Sequence, residues 1–149
     1  MGSRKQDEIL WAHLTRDELH YIRQSGYYHD LSSGTFLFQK GDLADGIYVL
    51  VSGELDILDV DPQGKKIHLT TLTPGTVLGE IGALTRWPRT ASALAKTDCI
   101  VFQINEKFIK GLINYRPGVA TQFLCNILTI MATTIVRLTD DVSHLKSSK

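Results

Sequence analysis

The sequence predicts a mainly-β fold with flanking helices. Between residues 34 and 104, short runs rich in β-branched and aromatic residues alternate with Gly, Asp and Pro, whereas both ends of the chain carry helical apolar spacing. Strands so closely spaced point to a barrel or jelly roll. With 149 residues, 43% of them apolar, the chain has the size and composition for one core. A single domain over residues 1–149 is therefore expected, with N-terminal helices in 6–30, a β-roll in 34–104 and C-terminal helices in 105–147.

Residues 6–24 read as helical, with apolar positions at Ile9, Leu10, Leu14, Leu19 and Ile22. Thr15 interrupts them as an N-cap, and Glu18 three residues on completes a capping box. Two short helices result. Strands are predicted at 35–39, 46–51, 54–60, 67–73, 91–95 and 99–104, and Asp61-Pro62-Gln63-Gly64 has the composition of a hairpin turn. Asn105 caps a helix through Ile113. Pro117 opens the last helix, because proline is tolerated in a first helical turn.

That last helix carries a regular seam. Leu124, Leu128, Met131, Ile135, Leu138, Val142 and Leu145 recur at alternating intervals of four and three, the a/d pattern of a coiled coil. Such a seam requires a packing partner, and two are open: the chain's own roll, or the same helix of a second copy in a parallel homodimer. In the second case Phe123, Ile127 and Ile130, on a neighbouring face, contact the roll.

Residues 77–93, VLGEIGALTRWPRTASA, carry the chemistry. Gly79 allows close backbone approach and φ > 0. Residues 81–84 are helix-competent, so free N–H groups at that helix start can face an anion. Arg89 adds a permanent charge on a planar donor fork suited to phosphate oxygens. The set is suited to a phosphorylated ligand.

This segment resembles the phosphate-binding cassette of cyclic nucleotide-binding domains, matching as Gly79-Glu80 and Pro88-Arg89-Thr90-Ala91-Ser92. Gly34, Gly41-Asp42, Tyr48, Gly53 and Pro74-Gly75 fall where that family has its turns. The resemblance runs from about Thr15 to the C-terminus. It implies an eight-stranded double-stranded β-helix of jelly-roll type, with a short cassette helix and a long C-terminal helix. It also implies that Arg89 pairs with the cyclic phosphate and that Glu80 accepts from the ribose 2′-hydroxyl. Backbone N–H groups of Ile81, Thr90 and Ala91 would finish the phosphate shell.

By the same resemblance Ile57, Leu69 and Thr70 lie at the purine, and the last helix closes over the base with Arg137, Leu138 and Thr139. Relative to similar bacterial cyclic-AMP regulators, this helix carries about four extra residues between Pro117 and Ala132, close to one turn. The implied ligand is cyclic AMP or cyclic GMP, with cyclic AMP the first expectation; Thr90 follows Arg89 where cyclic-GMP-selective domains often have threonine. The implied role is a sensor signalling through its last helix to an effector the sequence does not identify. The alternative is a degenerate, ligand-free domain serving as an interaction or dimerisation scaffold.

Other classes find less support. Sixteen basic residues balance sixteen acidic ones, so no overall positive field recommends nucleic acid. Only residues 146–149 follow the seam, too few for a helix-turn-helix, and no direct nucleic-acid binding is expected of this stretch. His13, His20, His29, His68 and His144 form no His-x-His pair, so neither a metal-dependent cupin nor any nucleophile–base set emerges; no enzyme activity and no metal are expected. No uninterrupted apolar run reaches the length of a bilayer span and no secretory core opens the chain, so a cytoplasmic domain is expected. Cys99 and Cys125 are expected to be buried, reduced thiols. The opening Met1-Gly2-Ser3 reads as an expression scar, which would make the chain a piece of something longer.

Overall fold

The computed structural model describes residues 5–79 and 85–147. Two short helices, α1 (Gln6–Leu10) and α2 (Arg16–Gln24), precede β1 (Tyr27–Leu31), β2 (Phe36–Phe38), β3 (Gly46–Ser52), β4 (Leu55–Val60), β5 (Lys66–Leu72), β6 (Val77–Leu78), β7 (Ser92–Ala95) and β8 (Cys99–Asn105). Helices α3 (Glu106–Tyr115) and α4 (Pro117–Ser147) follow. The expected cassette helix, with Glu80 and Ile81, lies outside the described residues.

The strands form two antiparallel four-stranded sheets, ordered β1-β8-β3-β6 and β2-β7-β4-β5, which is the expected mainly-β jelly roll. Local chemistry sets the element ends. The Thr15 hydroxyl accepts from the Glu18 N–H at 3.1 Å while the Glu18 carboxylate accepts from the Thr15 N–H at 2.8 Å, so two orphan donors of α2 are satisfied at once. Asn105 caps α3 by accepting from the Lys107 N–H at 2.7 Å. The β4–β5 hairpin closes through Asp61–Gly64, with Gly64 at φ 83°.

One boundary needs correcting: residues 27–30, placed with the N-terminal helices, belong to β1. This edge strand pairs Tyr27–Leu31 with β8, and most of its side chains are exposed. Its β-forming aromatics lack the apolar alternation that marks a half-buried strand. β6 has two residues, too few for any period.

Alternation along β3 and β8 divides the core. Ile47, Val49, Phe102 and Ile104 face the helices, where they meet Leu10, Ile22, Ile109, Leu112, Phe123, Ile127 and Ile130. Tyr48, Leu50 and Val101 face into the roll against Leu55, Leu78, Ala93 and Ala95. β3 is thus buried on both faces, which explains its continuous apolar run.

The face of α4 that packs inward carries Phe123, Ile127 and Ile130, all no more than 1% exposed. Of the seam, Leu124 and Met131 are partly buried against that core, whereas Leu128, Ile135, Leu138, Val142 and Leu145 are exposed. The seam as a whole does not lie on the chain's own roll. Helix α4 also has the length and mean hydropathy (1.7 over an 18-residue window) of a membrane span, with a third of that window buried in the fold. Its alternating polar residues hid this property from a search for uninterrupted apolar runs. Cys99 is buried as expected, but Cys125 is exposed, because it lies beside rather than on the inward face of α4.

Candidate functional site

Arg89 is 4% exposed, and a buried guanidinium is tolerated only when its donors are met. Its Nη1 donates to the Gly79 carbonyl at 3.0 Å, and its Nη2 donates to Asp45 Oδ1 and the Gly46 carbonyl, both at 3.1 Å. The guanidinium carbon lies 4.4 Å from the Phe38 ring centroid and 5.6 Å from that of Tyr48, within cation–π range. Among the described residues the Nε–H, also buried, has no hydrogen-bond partner. A buried donor left unpaired costs about 1–3 kcal/mol, so among the described residues the guanidinium is one acceptor short.

Gly79 makes this packing feasible. It sits at φ 83°, and a Cβ there would collide with Arg89 Nη1. Asp45 Oδ1, accepting from Arg89, also accepts from the Tyr48 hydroxyl at 2.8 Å. Burial pushes the Tyr48 phenol up from its ordinary value, and the hydrogen bond to Asp45 adds to the shift, so the phenol stays a donor. The strand β3 supplies Tyr48 and the preceding loop supplies Asp45, so among the described residues the counter-charge of Arg89 comes from outside residues 77–93.

A cavity of about 510 Å³ opens beside Arg89, within the usual range for small-ligand sites. Gly79, Arg89, Thr90, Ala91, Ile57, Thr70 and Arg137 all line it. Among the described residues, the backbone N–H groups of Thr90 and Ala91, just before β7, donate to no acceptor. Three expected residues lie elsewhere. Leu69 falls at a bulge between the pairs Ile57↔Thr70 and Leu58↔His68; it is 54% exposed and does not line the cavity. Leu138 and Thr139 do not line it either; Leu138 belongs to the exposed seam and the Thr139 hydroxyl donates back to the Ile135 carbonyl. Besides the expected Arg137, the helix presents Thr134, one turn before Leu138.

The family profile described as "Cyclic nucleotide-binding domain" matches residues 28–116, more than half the chain, including Gly79, Arg89 and the strands that hold them. The chain belongs to the cyclic nucleotide-binding domain family. It is 30% identical over 112 residues to the cAMP-activated global transcriptional regulator CRP of Salmonella typhimurium, an alignment covering 74% of this chain and 53% of that protein. Among solved structures, the N-terminal domain of a transcriptional regulator from Streptomyces coelicolor A3(2) superposes with a TM-score of 0.75 at 26% identity, covering 90% of this chain and 94% of that one. A cyclic nucleotide-binding domain from Methylobacillus flagellatus gives a TM-score of 0.82 over 93% of this chain and 80% of that one; at 17% identity this is a likeness of fold. The chain spans about half the length of the transcriptional regulator it matches.

Membership of this family fits the chemistry of Arg89, and the cavity adds residues that sequence reasoning missed. Asp45, Tyr48 and Phe38 surround the guanidinium, while Lys5, Gln6 and Thr134 line the cavity. No signal in the sequence marks Asp45, since an aspartate before glycine in a turn leading into a strand is ordinary. Lys5 has none either, because its position depends on how the N-terminal segment folds back.

Proposed function

We propose that this chain is a cyclic nucleotide sensor. The buried Arg89 Nε–H on the wall of the cavity, without a partner among the described residues, carries the reading. A phosphodiester oxygen would supply the missing acceptor, and the free N–H groups of Thr90 and Ala91 would bind the same group. Glu80 and Ile81 would complete the ribose and phosphate contacts, as the cassette pattern implies. Ile57 and Thr70 would meet the base, covered by Thr134 and Arg137 of α4. The relatives are named as cAMP-activated, which makes cyclic AMP and cyclic GMP the ligands to test.

Because α4 contributes both cavity-lining residues and the exposed seam, ligand binding would fix the helix and bias its pairing with a second copy, a differential affinity between two helix positions. The test is calorimetric titration with cyclic AMP and cyclic GMP, with AMP as the acyclic control. Binding of a cyclic nucleotide at micromolar or tighter affinity, without AMP binding, is the expected result. Arg89→Ala should cost about 2–5 kcal/mol, or roughly 30- to 4,000-fold in affinity, by leaving a desolvated phosphate unpaired. Binding within fivefold of the parent would overturn the assignment. An absence of heat with either nucleotide at two temperatures would favour the ligand-free scaffold.

A further inference from the structure

Gln103 is a buried primary amide, 3% exposed, on β8 between β1 and β3. It stands opposite Tyr27 of β1 on one side and Tyr48 of β3 on the other. A buried amide carries a donor and an acceptor, and each needs its complement. The Gln103 Nε2–H donates to the Asp45 main-chain carbonyl at 3.3 Å, and Gln103 Oε1 lies 2.7 Å from His29 Nε2.

Chemistry fixes the direction of this relay. A carbonyl can only accept, so Gln103 must turn its Nε2 toward Asp45 and its Oε1 toward His29. His29 Nε2 must then carry a proton and donate it to Gln103. The donors run one way, from the His29 ring through Gln103 to Asp45.

What Gln103 holds is the platform under Arg89. Asp45 Oδ1 and the Gly46 carbonyl both accept from Arg89 Nη2 at 3.1 Å, and the peptide joining these two residues is the one whose oxygen Gln103 engages. The Glu106 N–H of α3 donates to the same oxygen at 3.2 Å. Gly46 leaves room for the amide, since a Cβ there would come 3.2 Å from Gln103 Nε2 and collide with the Ile104 carbonyl. The Asp45 side chain is itself mostly in water, so the platform is tied from beneath. His29, half-buried on the edge strand β1 with its ring edge-on to Tyr27 at 4.8 Å, closes the relay at the sheet edge. Without its N–H, Gln103 Oε1 would be a buried acceptor with an unmet bond, and the amide would lose the contact that orients it.

Resting on the sensor reading above, we propose that Gln103 is a positioning residue for Arg89, oriented by His29, so that an imidazole at the edge of the first sheet sets how firmly the guanidinium is held for a phosphate. Both residues lie outside residues 77–93, and neither lines the cavity.

The experiment compares the chain with Gln103→Leu, His29→Leu and His29→Gln in two readouts: calorimetric titration with cyclic AMP and cyclic GMP, and solvent exchange of the Arg89 Nε–H followed by heteronuclear NMR without nucleotide. Gln103→Leu and His29→Leu should each weaken nucleotide binding about five- to tenfold and speed the exchange by about the same factor, the effect of one net hydrogen bond. His29→Gln, whose amide N–H returns the donor, should stay within about twofold of the parent in both. Leucine variants that leave both readouts unmoved overturn the relay, as does a His29→Gln protein that falls as far as His29→Leu, which would mean that the bulk of the ring matters and its donor does not. Should Gln103→Leu fail to fold, the two His29 variants on the edge strand give the same decision. If neither nucleotide binds the parent, the sensor reading falls, and the exchange rates alone uphold or overturn the hold on Arg89.

Discussion

The resting site already contains an anion of its own. Asp45 places Oδ1 3.1 Å from Arg89 Nη2, yet its side chain is 62% exposed while that of Arg89 is 3% exposed. The carboxylate thus costs little to hold in water and neutralises a guanidinium that could not be buried alone. On the proposed sensor reading an incoming phosphate would share Arg89 with it, so Asp45→Asn, which keeps the acceptor for Nη2 and for the Tyr48 hydroxyl but removes the charge, should tighten cyclic nucleotide binding by about three- to tenfold, or roughly 0.7–1.4 kcal/mol. Titration of the variant checks this. Weaker binding would mean that the charge of Asp45 is needed to hold Arg89 in place. At this scale the sequence was informative about groups near one another in the chain: the cassette spacing pointed to Gly79 and Arg89, which meet across ten residues. It was silent on Asp45, which reaches Arg89 across 44 residues through the packing of β3.

At the scale of elements, α1 joins the cavity wall to the last helix. Its N-terminal end is bonded to the turn before β6, and at its other end Asn126 of α4 donates to the Leu10 and Ala12 carbonyls at 2.9 and 2.8 Å. Those carbonyls lie at the end of a five-residue helix and have no intrahelical partner, while Asn126 is 4% exposed. Asn126→Leu should therefore cost about 1–3 kcal/mol of stability by leaving both carbonyls unpaired, read from denaturant midpoints at unchanged slope. A change below half a kilocalorie would mean that water replaces the amide. The helices were the most legible elements, because Thr15–Glu18, Asn105 and Pro117 mark their starts with local chemistry and Phe123, Ile127 and Ile130 repeat at helical spacing. β1 and β6 were not legible, since an edge strand shows no buried face and two residues hold no period. Of the residues expected on the last helix, Arg137 lines the cavity and Leu138 and Thr139 do not, because helix periodicity fixes a face but not the height at which it meets a cavity.

On the scale of the whole molecule, α4 outruns the body it packs on. Ile130 is its last buried residue, and residues 132–147 extend for roughly 24 Å at 1.5 Å per residue. Along that arm Ile135, Leu138, Val142 and Leu145 are 51–65% exposed, and together with Val136 they make an apolar surface of a kind that monomers seldom leave uncovered. Because a 16-residue helix is marginal in water by itself, a partner would hold the arm in place. The a/d spacing suits the same helix of a second copy, and Thr134 and Arg137 tie the arm to the cavity. The expected state is a homodimer whose association tightens on cyclic nucleotide binding; by reciprocity the dimer should bind the nucleotide more tightly by the same factor. Ile135→Glu with Leu138→Glu should place like charges at two seam positions, convert the species to a monomer in sedimentation velocity and leave the Arg89 site able to bind more weakly. A parent chain that sediments as a monomer at tens of micromolar, with and without saturating nucleotide, would exclude pairing through α4 and leave the arm to a different protein.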